Sequence, residues 1–264
     1  MPAVDRNVLR MAIYELATDP PGMAIDEEPD KLGQRLMLPP QYEKHRAEIL
    51  SQLAPLTSSY VTRRSAPRQE QPKFHLVGLH GTGGDENDLV PILERLAQGP
   101  SSSWVSLRGP VLEGHQRRFF RRLAEGLYDQ RDLTQRSQDL AEFLSQEPGE
   151  KVLVGFSNGA NLAAHCLMFH PTSGAAQHAL LLRPLLGWAK PQTGNLAGKK
   201  LLILAGSKDP IAPIAQARQL AQMMRDLGAT VELIELPTDH ALTPQDLEHA
   251  KKFLEGLQAA TTPK

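Results

Sequence analysis

The pattern of apolar and polar positions changes at about residue 58, from where short apolar runs alternate with longer amphipathic segments. The short runs have the length and composition of strands, whereas the longer segments repeat their apolar residues at helical spacing. Predicted strands cover 58–65, 72–79, 104–110, 151–156, 178–182, 200–205 and 230–236, and predicted helices cover 85–98, 131–146, 158–169, 214–227 and 244–257. Strands that alternate with helices in this way form a mostly parallel sheet with helices on both faces. The sequence therefore predicts an α/β fold.

Two of these elements carry more specific expectations. The first run, SSYVTRRS at 58–65, is the most polar of the predicted strands, and we expect it at the edge of the sheet. The first helical segment opens with Asp85, which we expect to be the N-cap because its carboxylate can accept hydrogen bonds from the free amides of the first turn.

Composition narrows the class of protein. The 264 residues carry 29 basic and 30 acidic side chains, and this balance argues against a nucleic-acid or anionic-membrane partner. Cys166 is the single cysteine, so an internal disulfide is excluded. Charged residues interrupt the apolar positions of the N-terminus, and no run approaches the roughly 20 apolar residues of a membrane span. We expect a cytoplasmic protein.

Candidate chemistry centres on the stretch KVLVGFSNGANL at 151–162, where a predicted strand runs directly into a predicted helix. Ser157 lies at the junction, with Gly155 and Gly159 two residues away on either side. A G-x-S-x-G turn in this context is a nucleophile elbow, which is so sharp that side chains at the two glycine positions would collide. Since small-residue turns between strand and helix are common, the pentapeptide alone leaves the assignment open.

Two later positions complete a catalytic pattern. Asp209 follows the strand 200–205, and His240 follows the strand 230–236. The chain order Ser, Asp, His, with each residue after a strand, is that of an α/β-hydrolase triad. His240 would exchange the Ser157 proton and Asp209 would orient the imidazole. Asp239 is a weaker candidate for the acid because, as the immediate neighbour of His240, it cannot easily approach the far ring nitrogen.

A glycine-rich loop, His80–Gly84, follows the strand 72–79 and suits an oxyanion hole. The backbone N–H groups of Thr82 and Asn158, the residue after the nucleophile, are the expected donors. A phosphate-binding loop is the competing interpretation. It is disfavoured because the loop lacks both the G-K-[ST] ending and a G-x-G-x-x-G sequence that opens a helix.

The substrate pocket has four candidate residues, namely Phe119, Phe120, Arg183 and Trp188. The two phenylalanines lie within the basic run RRFFRR at 117–122, which also resembles a nucleic-acid patch. A single such cluster in a neutral protein is more often a loop whose aromatic side chains are buried. Cys166 lies on an apolar helix nine residues beyond Ser157, and we expect it in the core.

Taken together, the motifs LHGTGGDENDL, SLRGPVLEGHQRRFFRRLAEGLYD, GFSNGAN, LLRPLLGW, LAGSKDPI and HALTPQDL resemble the phospholipase/carboxylesterase family of α/β-hydrolases. The resemblance covers roughly 58–258 and is strongest to the branch associated with hydroquinone and quinone resistance. It implies an α/β-hydrolase fold without a large lid, a substrate that is a carboxylic ester or a thioester, and no metal or other cofactor. It also implies the triad Ser157, Asp209 and His240, with Thr82 and Asn158 in the oxyanion hole.

Residues 1–56 resemble a different family, since YELATDPPGMAIDEEPDKLGQRLMLPPQYEKHRAEILSQLAPL is similar to the C-terminal tail of vicinal-oxygen-chelate ring-cleaving dioxygenases. In that family the position of Glu15 is a metal ligand. A 2-His-1-carboxylate site needs two further ligands from earlier strands, and this sequence has none ahead of Glu15, so we expect no metal here and interpret the segment as a remnant of a fusion. We expect an N-terminal arm at 1–56 and a hydrolase domain at 57–264.

The sequence thus favours a serine carboxylesterase that acts on small, short-acyl esters through an acyl-enzyme, since only about seventeen residues separate strand 178–182 from the next strand. The alternatives are an acyl-thioesterase, a lysophospholipase, or a non-catalytic assembly protein that uses its N-terminal arm. A strand-like start at 8–16 would leave an unpaired edge, and such edges are readily satisfied by a second chain. We therefore expect a homodimer.

Overall fold

A computed structural model of the chain describes residues 60–66, 72–97, 102–124, 127–171, 176–191 and 194–260, so the predicted arm at 1–56 lies outside the described residues. The strands are β1 (Thr62–Arg64), β2 (Phe74–Leu79), β3 (Ser102–Leu107), β4 (Val111–Glu113), β5 (Gln116–Arg118), β6 (Arg122–Ala124), β7 (Leu127–Tyr128), β8 (Glu150–Phe156), β9 (His178–Leu182), β10 (Lys200–Gly206) and β11 (Thr230–Leu236). The helices are α1 (Val90–Leu96), α2 (Gln130–Gln146), α3 (Asn158–Phe169), α4 (Ile214–Asp226) and α5 (Pro244–Ala260).

The main sheet has seven strands in the order β1-β3-β2-β8-β9-β10-β11. The strand β1 pairs antiparallel with β3 at one edge, and all other neighbours pair in parallel. The predictions of a mostly parallel sheet and of an edge strand within 58–65 are therefore confirmed. Because all but one of the strands run in the same direction, their carboxyl ends meet at one edge of the sheet.

Helices cover both faces of this sheet, and the alternation of side chains along each strand explains how. In β2, Phe74 and Leu76 pack into a core that includes residues of α1 and α5. Val77 and Leu79 instead pack into a second core, with residues of α2, α3 and α4. Every residue of β2 is buried, as expected for a strand covered on both faces. The α/β-hydrolase architecture predicted from the sequence is confirmed.

The expected N-cap at Asp85 is wrong. The helix α1 begins only at Val90, with Leu89 at the capping position and Pro91 in the first turn. The Asp85 carboxylate instead accepts a hydrogen bond from the N–H of Asn87, at 2.8 Å. This local bond closes a turn before the helix, and the proline, which lacks a backbone donor, then suits the helix start.

Two small hairpins, β4–β5 and β6–β7, lie between β3 and α2 in a region where we predicted no strands. Between β9 and β10 the chain passes through residues 183–199, and the described part of this connection contains no helix or strand. Within the ranges that the structure describes, no helix has the length and apolar character that crossing a membrane requires.

Candidate active site

The nucleophile elbow has the strained geometry that its sequence predicts. Ser157 joins β8 to α3 with φ of 50° and ψ of −114°, in a region that side-chain-bearing residues rarely adopt. A Cβ atom at Gly155 would lie 2.6 Å from the Ala160 Cα, and one at Gly159 would lie 2.2 Å from the Leu79 carbonyl oxygen. Both distances are well below normal contact, so glycine is required on either side of the serine.

His240 lies between the serine and an aspartate. Its Nε2 atom is 3.0 Å from the Ser157 Oγ, and its Nδ1 atom is 2.7 Å from the Asp209 Oδ2. The other carboxylate oxygen of Asp209 accepts hydrogen bonds from the N–H groups of Ile211 and Ala212, at 2.8 and 2.9 Å. These two amides fix the carboxylate, and the carboxylate in turn fixes the imidazole.

The side chains of Asp209 and His240 differ in how deeply they are buried. The Asp209 side chain has no exposed surface, whereas the His240 side chain is 19% exposed. A buried carboxylate interacts strongly with the imidazole because little water screens the pair, and the partly exposed ring remains open to a substrate. Asp239, the other candidate acid, is exposed, and its carboxylate accepts from the N–H of Ala241 rather than from His240. The structure thus brings Asp209, and not Asp239, to the imidazole.

Two backbone amides are suited to hold an oxyanion. Asn158 is the first residue of α3, so its N–H is among those that an α-helix leaves without an intrahelical acceptor. The exposed residue Thr82 lies in the glycine-rich turn directly after β2. Gly83, the next residue, is held by a hydrogen bond from its N–H to the Arg117 carbonyl, at 2.8 Å. The loop is therefore anchored to the β4–β5 hairpin.

His80 orients this loop, a role that sequence reasoning missed. The N–H of Gly109 donates to its Nε2 atom at 2.8 Å, so the proton lies on Nδ1, which contacts the Gly81 carbonyl at 2.6 Å. Burial lowers the pKa of His80 below its usual value, which favours the neutral form of the ring. The glycine-rich sequence of the loop indicated the backbone donors, but nothing in it indicated that the His80 ring would bond to Gly81 and Gly109.

Phe119 and Phe120, predicted as pocket residues, have no exposed surface. Phe119 packs 4.8 Å from the His80 ring, and Phe120 packs edge-on against Tyr128 at 5.0 Å. Both belong to the core on the side of the sheet that carries α2, α3 and α4. This corrects the pocket assignment and agrees with the alternative that the basic run encloses buried aromatic side chains. The N–H of Phe119 also donates to the Asn158 Oδ1 at 2.7 Å, so this segment is tied to the first residue of α3, directly after Ser157.

Arg183 and Trp188, the other two predicted pocket residues, are also buried. Arg183 is fully buried and forms an ion pair with Asp246. Trp188 is only 9% exposed and meets the ring of His165 edge-on at 5.5 Å. Neither side chain presents enough surface to bind a substrate that enters from solvent, and both predictions of direct substrate contact are corrected.

Cys166 lies in the core, as predicted, with 1% of its surface exposed. Burial raises the pKa of its thiol to about 12, so the neutral thiol dominates at ordinary pH. Since the thiolate is the reactive form, Cys166 is unsuited to act as a second nucleophile. Elsewhere in the described ranges, no group of three or more His, Cys, Asp or Glu side chains is placed to hold a metal ion. Glu15 lies outside those ranges.

Comparison with known proteins identifies similar hydrolases. No family model matches the chain. The Bacillus subtilis protein MhqD, a hydrolase by name, is 34% identical over 185 residues, which cover 67% of this chain and 90% of MhqD. The crystal structure of the Bacillus cereus carboxylesterase aligns with a TM-score of 0.67 and 32% identity, over 87% of this chain and 99% of that protein. The carboxylesterase from Mesorhizobium loti aligns with a TM-score of 0.63 and 27% identity, over 71% of this chain and 90% of that protein.

A separate match concerns a short segment. MhqO of Bacillus subtilis, a ring-cleaving dioxygenase by name, is 54% identical to this chain over 43 residues, and MhqA, likewise named, is 50% identical over 44 residues. The match to MhqO spans 16% of this chain and only 14% of MhqO. The resemblance of the N-terminal segment to dioxygenases is therefore confirmed at short coverage, and the whole dioxygenase is not represented.

Proposed function

The chain belongs to the carboxylesterase family of α/β-hydrolases and is a carboxylic ester hydrolase, and from this premise we propose that Ser157, His240 and Asp209 carry out the hydrolysis as a catalytic triad. The observation that carries the proposal is the continuous pair of contacts, 3.0 Å from Ser157 to His240 and 2.7 Å from His240 to Asp209. Such a relay activates a serine that is otherwise a weak nucleophile.

Acylation begins when the Ser157 Oγ attacks the carbonyl carbon of the ester. The Oγ proton passes to His240 Nε2, and the carbonyl oxygen becomes an oxyanion. Collapse of this intermediate breaks the bond between the carbonyl carbon and the alcohol oxygen, and His240 gives the proton that it took from Ser157 to the departing alcohol. The acyl group then remains on Ser157. In deacylation a water molecule replaces the alcohol in the reverse sequence, and the carboxylic acid leaves.

Asp209 acts on the imidazole and not on the ester. Its carboxylate accepts a hydrogen bond from the Nδ1–H group, which keeps the proton on Nδ1 and leaves Nε2 free to accept the proton of Ser157. The negative charge also stabilises the imidazolium that forms in both steps. The contacts to the N–H groups of Ile211 and Ala212 support this assignment because they hold the carboxylate in one orientation.

The oxyanion is proposed to accept hydrogen bonds from the backbone N–H groups of Thr82 and Asn158. Donors fixed in advance stabilise a charge that develops only in the transition state, and loss of one typically costs about 10²–10³ in rate. The position of Asn158 at the start of α3 supports this role, since the positive end of a helix dipole also faces the developing charge.

A fluorophosphonate probe tests the proposed chemistry directly, because it phosphonylates only an activated serine. We expect stoichiometric labelling, with the modification located at Ser157 by peptide mass spectrometry. Heat-denatured protein is the control and should remain unlabelled. Labelling at another residue, or none in folded protein, would refute the proposed nucleophile and favour the non-catalytic assembly role.

We propose a preference for short acyl chains. The connection between β9 and β10 spans residues 183–199, and its described part contains no element that forms a lid over a long chain. We expect kcat/KM for p-nitrophenyl esters to fall from butyrate through octanoate to palmitate. The measurement uses initial rates below the micelle-forming concentration of each ester. A substantial rise from butyrate to palmitate would contradict the proposal.

Residues 1–56 are proposed to mediate formation of a homodimer without contributing a catalytic group. The sequence of this segment supports the proposal, since Val8, Leu9, Ile13 and Leu16 lie within nine positions of one another in the chain, and apolar residues that are left exposed often mark an interaction site. The match to MhqD supports a hydrolase domain that is active without the arm, because 67% of this chain is enough to cover 90% of MhqD.

Deleting residues 1–56 should therefore weaken association while leaving turnover per Ser157 site nearly unchanged. Light scattering measures the association, and active-site titration with the fluorophosphonate gives the turnover per functional site. The full-length protein at matched concentration is the control. A truncated protein that remains fully dimeric would remove the assembly role, and one that is folded but inactive would place the arm at the active site.

A further inference from the structure

A buried arginine behind the active site holds the backbone on both sides of His240. We propose that Arg183, fixed by its ion pair with Asp246, is a positioning residue that sets the imidazole of His240 against Ser157. The inference rests on the proposed function, and it assigns to Arg183 a role in catalysis that requires no contact with the substrate.

Every N–H group of the Arg183 guanidinium has an acceptor. Its Nη1 and Nη2 atoms lie 2.7 and 2.9 Å from the two carboxylate oxygens of Asp246. The remaining three N–H groups donate to backbone carbonyls: Nε to Asp239 at 3.2 Å, Nη2 to Ala241 at 2.9 Å, and Nη1 to Leu204 at 3.2 Å. A guanidinium has five N–H donors in a fixed fork, and here all five are used.

Two of these acceptors flank the catalytic histidine. Asp239 and Ala241 precede and follow His240, so the guanidinium binds the main chain on both sides of that residue. The described part of this loop contains no regular secondary structure between β11 and α5. Without the guanidinium, the two carbonyls would lose these donors, and the direction of the imidazole would be less restricted.

Asp246 anchors the same loop from its other end. One of its carboxylate oxygens also accepts from the N–H and the hydroxyl of Thr243, at 2.7 and 2.9 Å, at the start of α5. Arg183 and Asp246 are almost completely buried, with 0% and 4% of their side chains exposed. A buried charge is tolerated only when it is paired and hydrogen-bonded, so each residue requires the other.

The backbone of Arg183 connects this clamp to the nucleophile. The N–H of Ser157 donates to the carbonyl of Leu182, and the N–H of Arg183 donates to that of Leu204, both at 2.8 Å. The end of β9 thus binds the backbone of the serine, while the next side chain binds the backbone around His240. Residues at the end of β9 therefore hold both Ser157 and His240, and so fix the distance between them.

Backbone strain marks the same residue. Arg183 has φ of 52°, and in the part of the chain that the structure describes the other non-glycine residue with positive φ is Ser157. Strained residues persist where the surrounding structure holds them, and they concentrate at functional sites.

The test compares Arg183→Lys with a matched control. Lysine keeps the positive charge, but its ammonium group has only three N–H donors. It cannot donate to both Asp246 oxygens and to three backbone carbonyls at once. We expect kcat to fall by about 10²-fold, the cost typical of a small misplacement of a catalytic group, with KM unchanged. Arg218→Lys alters an arginine that also makes two contacts of 2.7 Å, but with Glu235 and not with the loop around His240, and its side chain is 59% exposed. It should retain the wild-type kcat.

A second variant separates positioning from folding. Because apolar residues can replace a buried ion pair, we expect Arg183→Met combined with Asp246→Leu to be more thermally stable than Arg183→Met alone, although the loss of the donors to three carbonyls keeps it below the wild type. The double variant should nevertheless keep the low kcat, because methionine cannot donate to the carbonyls beside His240. A double variant with wild-type kcat would overturn the proposal and leave Arg183 a purely structural role.

A spectroscopic readout is independent of turnover. The hydrogen bond between His240 Nδ1 and Asp209 should give a low-field proton resonance in wild type and in Arg218→Lys, assigned by its loss in His240→Gln. We expect Arg183→Lys and the double variant to shift or broaden it. An unchanged resonance together with unchanged kcat would overturn the proposal. If no ester is turned over by any form but the resonance responds as expected, the positioning role stands and the proposed function fails.

Discussion

Ser157→Ala should reduce the rate of ester hydrolysis by roughly 10⁶-fold, the loss found when the nucleophile of a serine hydrolase is removed. The variant retains the methylene carbon of the serine but has no oxygen to attack the ester, so no acyl-enzyme can form. The fold should remain intact, because alanine is smaller than serine and fits the strained turn. The measurement is kcat/KM with p-nitrophenyl butyrate, accompanied by thermal unfolding of both proteins.

Cys166→Ala is the matched control for the nucleophile. Cys166 lies on α3 and is 1% exposed, so its substitution leaves the serine and its two partners in place. We expect activity close to that of wild type and a modest loss of stability from the small cavity. If Ser157→Ala kept near wild-type turnover while Cys166→Ala lost it, the thiol would be the nucleophile and the proposed triad would be wrong.

Asp209→Asn should lower kcat by about 10⁴-fold, as the equivalent substitution does in the serine-protease triad. An asparagine side chain has the same shape but can present its NH₂ group to His240 Nδ1. The imidazole would then carry its proton on Nε2, where it can no longer accept the proton of Ser157. Since the amides of Ile211 and Ala212 still have an oxygen to donate to, the variant should fold. Initial rates and thermal unfolding measure both effects.

Asp239→Asn tests the same chemistry one residue from His240. The Asp239 carboxylate is exposed and accepts from the N–H of Ala241, an interaction that an asparagine oxygen can also make. We expect a loss much smaller than that of Asp209→Asn. The reverse ranking would move the catalytic acid thirty positions along the chain and would require a different arrangement of the imidazole from the one observed.

The strands and the nucleophile elbow were predictable because their causes are local. A central parallel strand is buried on both faces, so it appears as a short unbroken apolar run, as in FHLVGL of β2. The elbow needs glycine at fixed distances from Ser157, and these positions are read directly from the sequence. The predicted range 58–65 also contained the short edge strand β1, because a strand with one open side retains polar residues.

Other features had no local pattern to detect. The hairpins β4–β5 and β6–β7 have strands of two or three residues, too short for an alternation of apolar and polar positions to be recognised. Phe119 and Phe120 lie in a basic run, and only the packing of Phe119 against His80 and of Phe120 against Tyr128 shows that both are core residues. Apolar character alone does not distinguish a core side chain from the wall of a pocket.

The sequence by itself determined the order of the helices and of the strands in the main sheet. It also determined the order of Ser157, Asp209 and His240 at the strand ends, because burial and tight turns depend on residues close together in the chain. Only the tertiary structure decided which strands are neighbours, which acid reaches the imidazole, and what His80 and Arg183 do. Their partners are distant in sequence: Gly109 lies 29 residues from His80, and Asp246 lies 63 residues from Arg183. A hydrogen bond depends on the separation and direction of two groups in space, and these are fixed only when the sheet brings its strand ends together.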